Sequence, residues 1–199
     1  MLIVINNNKD TIGKKTRQLT KFLDKTKINY KVFSHMSNVE DLDKSKIKGI
    51  ILSGSYLNLS QPVDIQLVSH NIAVLLRCPN IPILGICFGF QIMCLSYGGR
   101  IEHMGQHKNG LEQTNIVKLS PLFKGLPSCF DVCSYHGDKI TYIPQTFEII
   151  CEANDGTIQG IQNLKTKRFG LQFHPESNNK TIKILKNFLD ICEIENPDN

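Results

Sequence analysis

Two short runs hold residue types able to perform nucleophilic chemistry. The first, Pro82-Ile83-Leu84-Gly85-Ile86-Cys87-Phe88-Gly89-Phe90-Gln91, is an apolar stretch that meets a cysteine between two glycines and continues into a helix-forming segment. Gly-x-Cys-x-Gly fits a sharp strand-to-helix elbow, which lifts a nucleophile to the end of a sheet. Gly85 and Gly89 leave room for the strand and helix backbones to approach at the bend. A helix starting just after Cys87 aims unpaired N–H groups and the positive end of its dipole at the sulfur, favouring thiolate over thiol. On these residues alone a buried structural cysteine after a core strand is the competing explanation.

A cysteine nucleophile needs a proton carrier, and the carrier needs an orienting group. Gly170-Leu171-Gln172-Phe173-His174-Pro175-Glu176 offers both. Proline disfavours helix at the residue before it, so His174 is expected in extended backbone at a strand end. Alternate side chains of extended backbone share a side, so His174 and Glu176 are expected to point together, the carboxylate fixing the imidazole tautomer. Without Cys87 the same residues would read as a strand-end histidine and a surface glutamate.

The elements that must position these groups follow from periodicity. Leu2 to Ile5 reads as a strand, followed by a helix with Ile12, Leu19, Phe22 and Leu23 at helical spacing. Tyr30 to Phe33 and Gly49 to Leu52 are further strands, and Ile65, Val68, Ile72, Leu75 and Leu76 make an apolar helical face after Pro62. Strands alternating with helices imply βαβ units and a mostly parallel sheet covered on both sides. The elbow helix is expected to stop at Gly98-Gly99. The pattern then turns strand-rich: Thr114 to Leu119, Phe130 to Tyr135, Phe147 to Ala153, Ile158 to Gln162 and Phe169 to Phe173, with Asn109-Gly110 as a hairpin-type turn signal. An antiparallel addition to the parallel sheet is expected there. Thr181 to Ile194 reads as an amphipathic helix with Ile184, Leu185, Phe188 and Leu189 inward, and Pro197 onward as a frayed tail. No repeat, linker or low-complexity segment interrupts the chain, so residues 1–199 are expected to form one domain.

Composition narrows the class. The 199 residues, 41% hydrophobic, suffice for one core. The net charge of +5 is spread over short runs such as Lys14-Lys15 and Lys165 to Arg168, read as a solvated face; without a basic helix, no nucleic-acid partner is expected. Seven cysteines, an odd number, and an N-terminus running directly into a strand suggest a reducing, cytoplasmic setting with no membrane span. Neither a phosphate-binding Gly-x-x-x-x-Gly-Lys loop nor a dinucleotide fingerprint is encoded, and no cofactor is expected. His103 and His107 have i, i+4 spacing, but Gly105 lies between them and no third ligand is evident, so no metal site is expected. Cys78, Cys94, Cys151 and Cys192 sit in apolar surroundings and read as core thiols, while Cys129 and Cys133 lack C-x-x-C spacing.

Taken together, Gly85-Ile86-Cys87-Phe88-Gly89-Phe90-Gln91 and Phe173-His174-Pro175-Glu176 resemble the signature of class I glutamine amidotransferases, the Cys-His-Glu family that releases ammonia from L-glutamine. Gly49 to Gly54, Gly98-Gly99 and His136-Gly137-Asp138 also fall where that family has characteristic segments, so the likeness spans nearly the whole chain. The resemblance implies a flavodoxin-like α/β sheet with the site at the carboxyl ends of its strands. It further implies that Cys87 attacks the glutamine carboxamide, that His174 moves the protons, and that Glu176 orients His174. The N–H of Phe88 and one from Gly54-Ser55 would hold the oxyanion, Gln91 would contact glutamine, and the backbone at Gly137-Asp138 would hold its amino-acid end.

One departure stands out. The family usually has Gly-Gly-Pro or Gly-Pro-Gly where this chain has Gly54-Ser55-Tyr56. If Ser55 must adopt a glycine-type backbone, strain on the order of 1 kcal/mol, or another loop shape, is expected. Ser134 to Lys139 and the elbow wording look more like the amidotransferase part of GMP synthases than that of anthranilate or aminodeoxychorismate synthases. The resemblance therefore implies an ammonia-accepting synthetase partner, with the ATP-dependent synthetase of a GMP synthase favoured. A stand-alone γ-glutamyl hydrolase, which would act on γ-glutamyl peptides, and a non-catalytic glutamine-binding module are the alternatives.

Overall fold

The computed structural model describes residues 1–8, 13–34, 37 and 39–194. Its elements, in chain order, begin with β1 (Leu2–Asn6), α1 (Lys14–Lys25), β2 (Tyr30–Ser34), β3 (Gly49–Leu52), α2 (Ile65–Arg77), β4 (Ile83–Ile86) and α3 (Phe88–Ser96). They continue with β5 (Arg100–Ile116), β6 (Cys129–Tyr142), β7 (Glu148–Ala153), β8 (Ile158–Asn163), β9 (Arg168–Leu171) and α4 (Ile182–Ile191). Nine strands form one sheet in the order β2-β1-β3-β4-β9-β8-β7-β5-β6. Pairing is parallel from β2 through β9 and antiparallel from β9 to β6. The 2-1-3-4 order of the parallel half is flavodoxin-like, with the antiparallel extension expected from the strand-rich second half.

The central strands are apolar throughout because both of their faces are covered. Side chains alternate across a strand, so Leu2 and Val4 pack with Leu19, Leu23, Ile184 and Phe188 of α1 and α4, while Ile3 and Ile5 pack with Val74, Leu75, Phe90 and Met93 of α2 and α3. Fully burying a side chain such as Phe188 contributes on the order of 2–3 kcal/mol. Among the described residues, no helix is long and apolar enough to cross a membrane.

Three expectations change. In α2 the buried face is Leu67, His70, Asn71, Val74 and Leu75, whereas Ile65 and Leu76 are exposed. Two polar residues turn inward there, Asn71 donating to Asn7 Oδ1 at 2.7 Å, and hydrophobicity alone could not register that. Asn109-Gly110 is no turn: both residues lie inside β5, opposite Tyr135 and Ser134 of β6, and Gly110 takes φ 127° within the strand. Arg168 is not part of a solvated face. It is 1% exposed, and its guanidinium donates to the carbonyls of Cys78, Pro79, Ile81 and Thr166 and to the Tyr97 hydroxyl at 2.6–3.2 Å. The helical placement of Ile12 and the tail from Pro197 lie outside the described residues.

Candidate active site

Cys87 occupies the single residue between β4 and α3, with φ 50° and ψ −105°. A non-glycine residue in that conformation costs on the order of 1–3 kcal/mol, so the surroundings must hold it. They do: the Cys87 N–H donates to Leu171 O at 2.7 Å and the Cys87 carbonyl accepts from Gln91 N at 3.0 Å, starting the helix. The turn is tight enough that a Cβ on Gly85 would lie 2.7 Å from Gly89 O. Phe88, the first residue of α3, has no intrahelical acceptor for its N–H, while its ring is buried against Leu67 and Ile92.

His174 enters from beyond β9, which ends at Leu171, two residues short of the expected strand end. The His174 N–H donates to Cys133 O at 2.9 Å, and its Nδ1 lies 2.7 Å from Glu176 Oε1. The carboxylate does not reach it by strand alternation. Pro175–Ser177 is a single 3₁₀ turn, and this turn brings Glu176 back towards the ring. With the carboxylate accepting, Nδ1 carries the proton and Nε2 remains for chemistry. Burial pulls the imidazole pKa down, but the negative charges of Glu176 and Cys87 outweigh it and raise the value to about 10. The histidine is thus held as a proton donor beside the sulfur.

Gly54 closes the third side. A Cβ there would lie 2.7 Å from His174 Cε1 and 3.5 Å from Cys87 Cβ, so only glycine lets this loop approach the pair. Ser55 follows without the glycine-type backbone that the departure from the family pattern raised. The non-glycine residues with positive φ among those described are Lys27, Cys87, Lys167 and Glu193.

Gln91 is buried one turn after Cys87, donating from Nε2 to Asp138 O and Gln172 Oε1, each at 3.1 Å. The Asp138 carboxylate turns away, accepting from Ser60 N, Ser60 Oγ and His103 Nδ1 at 3.0, 2.5 and 3.2 Å. Gly137 passes under the His107 ring, which a Cβ would meet at 2.9 Å. His103 and His107 therefore sit on a bulged strand, not a helix. Among the described residues, no group of three or more His, Cys, Asp or Glu could hold a metal.

The sequence assigns no role of their own to two further residues at the site, Gln172 and His136, the latter named there only as part of the His136-Gly137-Asp138 segment. Gln172 donates from Nε2 towards Cys87 Sγ at 3.7 Å; its place in the Gly170–Glu176 run is the one signal for it. His136 is kept neutral by burial, donates from Nδ1 to Asp138 O at 2.8 Å, and leaves a buried Nε2 without a partner. It lines a space of about 10 Å³ with Cys87, Gln91 and Ser55, room for about one water. A larger cavity, about 490 Å³, opens on His174 and Gly54 past Tyr56 and Tyr135. Burial pushes the thiols of Cys94 and Cys192 up to about 12 and that of Cys151 well above its ordinary value, so these are inert core groups.

Comparison with known proteins gives the family of the chain. The family model of class-I glutamine amidotransferases matches residues 7–192. The chain is 36% identical over 185 residues to the glutamine-hydrolysing GMP synthase of Petrotoga mobilis, covering 89% of this chain and 35% of that protein. Against the Dictyostelium discoideum GMP synthase, identity is 39% over 163 residues, covering 74% and 21%. The chain thus spans about a third or less of these two relatives. A glutamine-hydrolysing GMP synthase subunit from Methanocaldococcus jannaschii matches nearly end to end, 28% identical with 96% and 97% covered. The crystal structure of a Thermoplasma acidophilum protein assigned as the same GMP synthase subunit superposes with TM-score 0.82 at 25% identity, covering 96% and 93%. The chain belongs to the class I glutamine amidotransferases.

Proposed function

We propose that the chain hydrolyses L-glutamine to glutamate and ammonia through a thioester on Cys87. The observation that carries this reading is the buried line of Cys87, His174 and Glu176, with Gly54 packed against the first two. The Cys87 sulfur attacks the side-chain carboxamide carbon, and the tetrahedral oxyanion rests on the N–H groups of Phe88 and Ser55. His174 gives its proton to the departing nitrogen, so ammonia leaves as the C–N bond breaks. Water then attacks the thioester carbonyl, His174 takes its proton, and glutamate is released as the C–S bond breaks. Gln91 contacts the bound glutamine, and the Gly137-Asp138 backbone holds its amino-acid end. The space beside Cys87 is about 10 Å³, too small for glutamine, so part of its lining must give way on binding.

The ammonia passes to an ATP-dependent synthetase of the GMP synthase type. Support for that acceptor comes from the names of the relatives, including a GMP synthase subunit of matching length. Residues 1–199 act as one amidotransferase domain in this scheme.

The test is to incubate the purified chain with a glutamine-shaped diazoketone, map the labelled peptide, and assay glutamate release in parallel. A single label on Cys87 that excess glutamine prevents, with turnover lost in Cys87→Ser, is the expected result. Turnover that survives Cys87→Ser overturns the mechanism. For the acceptor, the synthetase component of a GMP synthase, supplied with glutamine in place of ammonia, should form GMP only when this chain is added.

A further inference from the structure

Three buried polar side chains converge on the start of the Gly54-Ser55 loop. Asn7 follows β1 and Ser53 follows β3, and these strands are neighbours. The Asn7 N–H donates to Ser53 Oγ at 3.0 Å, and Asn7 Nδ2 donates to Ser53 O at 2.8 Å. The Ser53 hydroxyl in turn donates to Gly54 O at 3.0 Å. From α2, Asn71 Nδ2 donates to Asn7 Oδ1 at 2.7 Å. All three are essentially sealed from solvent: Asn7 and Asn71 0% exposed and Ser53 2%.

The contacts fix two successive carbonyls. With Ser53 O held by Asn7 and Gly54 O held by the Ser53 hydroxyl, neither flanking peptide plane can turn. In a trans peptide the N–H of the next residue points opposite to the carbonyl. Gly54 O is turned to the Ser53 hydroxyl, so the Ser55 N–H points the opposite way, out of the buried network, in a loop whose Gly54 packs against His174 and Cys87. Packing alone does not account for Asn71. It lies on a face shared with Leu67, Val74 and Leu75, and its Oδ1 is buried without a hydrogen-bond partner, a cost that leucine would avoid.

We infer that Asn71, Asn7 and Ser53 form a positioning relay that fixes the orientation of the Gly54-Ser55 peptide and thereby aims the Ser55 N–H at the oxyanion. The catalytic half of this inference rests on the proposed glutamine hydrolysis; the structural half does not. None of the three side chains touches substrate. Their work is to keep the donor aimed where Ser55 replaces the family's usual Gly-Gly-Pro or Gly-Pro-Gly loop.

The test uses the full chain with Ser53→Ala and Asn71→Ala, each checked for folding by circular dichroism. Amide hydrogen exchange is measured first at Asn7, whose N–H donates to Ser53 Oγ, and should accelerate by about tenfold or more in Ser53→Ala, and less in Asn71→Ala. Unchanged exchange there overturns the relay. Glutamine kinetics come next. The turnover number should fall roughly ten- to a hundredfold while KM stays within about threefold, because a misaimed donor weakens only the transition state. Alkylation of Cys87 by iodoacetamide, which needs no oxyanion donor, should stay within about twofold of wild type. An equal fall in alkylation and turnover marks general damage and overturns the positioning role. A wild-type chain that exchanges as expected but never releases glutamate defeats the proposed function and leaves the relay standing as structure. If Ser53→Ala does not fold, Asn71→Ala, whose lost contact lies two side chains from the loop, decides by the same measurements.

Discussion

His174 Nδ1 and Glu176 Oε1 lie 2.7 Å apart, and both side chains are only 2% exposed. A histidine this deeply buried would ordinarily be neutral. Here the adjoining carboxylate and the Cys87 sulfur reverse that tendency and raise the imidazole pKa from 6.5 to about 10. A folded-state pKa above the unfolded value adds stability that is complete below pH 6.5 and fades as pH climbs to about 10. Glu176→Gln removes the larger charge, so its unfolding free energy should change less over that window than the wild-type's. Urea unfolding of both proteins across the window measures it, and parallel curves would refute the coupling. The variant should also lose most turnover while keeping an alkylatable Cys87.

The Cys87 backbone gives a second prediction. Because φ 50° suits glycine better than any residue with a Cβ, Cys87→Gly should be more stable than Cys87→Ala by about 1 kcal/mol. Both lack the sulfur and both should be inactive, so the comparison isolates backbone strain. A melting temperature for the glycine variant about 2–4 °C above that of the alanine variant is expected.

Gly54 tolerates no side chain against His174. Gly54→Ala puts a methyl group 2.7 Å from His174 Cε1, and the ring or the loop must yield. Glutamine turnover should drop at least about a hundredfold, since small displacements of a proton carrier are costly. Gly54 is buried, so relieving the clash should also cost about 1–3 kcal/mol, a fall of roughly 2–12 °C in melting temperature. Retained turnover would mean that the loop lies farther from the imidazole in solution.

Arg168 concerns stability alone. Arg168→Met keeps the stem but strands the carbonyls of Cys78, Pro79, Ile81 and Thr166 in a buried setting. We expect a loss of about 3 kcal/mol, or roughly 6–12 °C in melting temperature, with Cys87 labelling unaffected in the folded fraction. Chemical denaturation checks it, and a loss under about 1 kcal/mol would show that those carbonyls find other donors.

Much of this molecule is legible along the chain because its determinants are local. Gly85, Cys87 and Gly89 announce a strand-to-helix elbow within five residues, and the apolar runs at Leu2, Gly49 and Ile83 announce buried parallel strands. His174-Pro175 likewise places the imidazole in non-helical backbone, where its φ is −106°. Such features depend on sterics and hydrogen bonding between near neighbours, which residue types and spacing largely dictate.

What only the tertiary structure decided are contacts between residues far apart in the chain. Arg168 reads as the end of a solvated run, yet the 78–82 segment wraps its carbonyls around it. The buried face of α2 departs from the apolar spacing because Asn71 turns inward to Asn7, a partner 64 residues away that no periodicity reveals. Asn109-Gly110 carries a hairpin signal, yet pairing with Tyr135 and Ser134 stretches it into a long strand. Glu176 does pair with His174 as their spacing implies, but through a 3₁₀ turn in place of strand alternation. In each case a polar group's preference is met by a partner whose position is set by the packing of whole elements, so the free energy that decides it appears only once the sheet has formed.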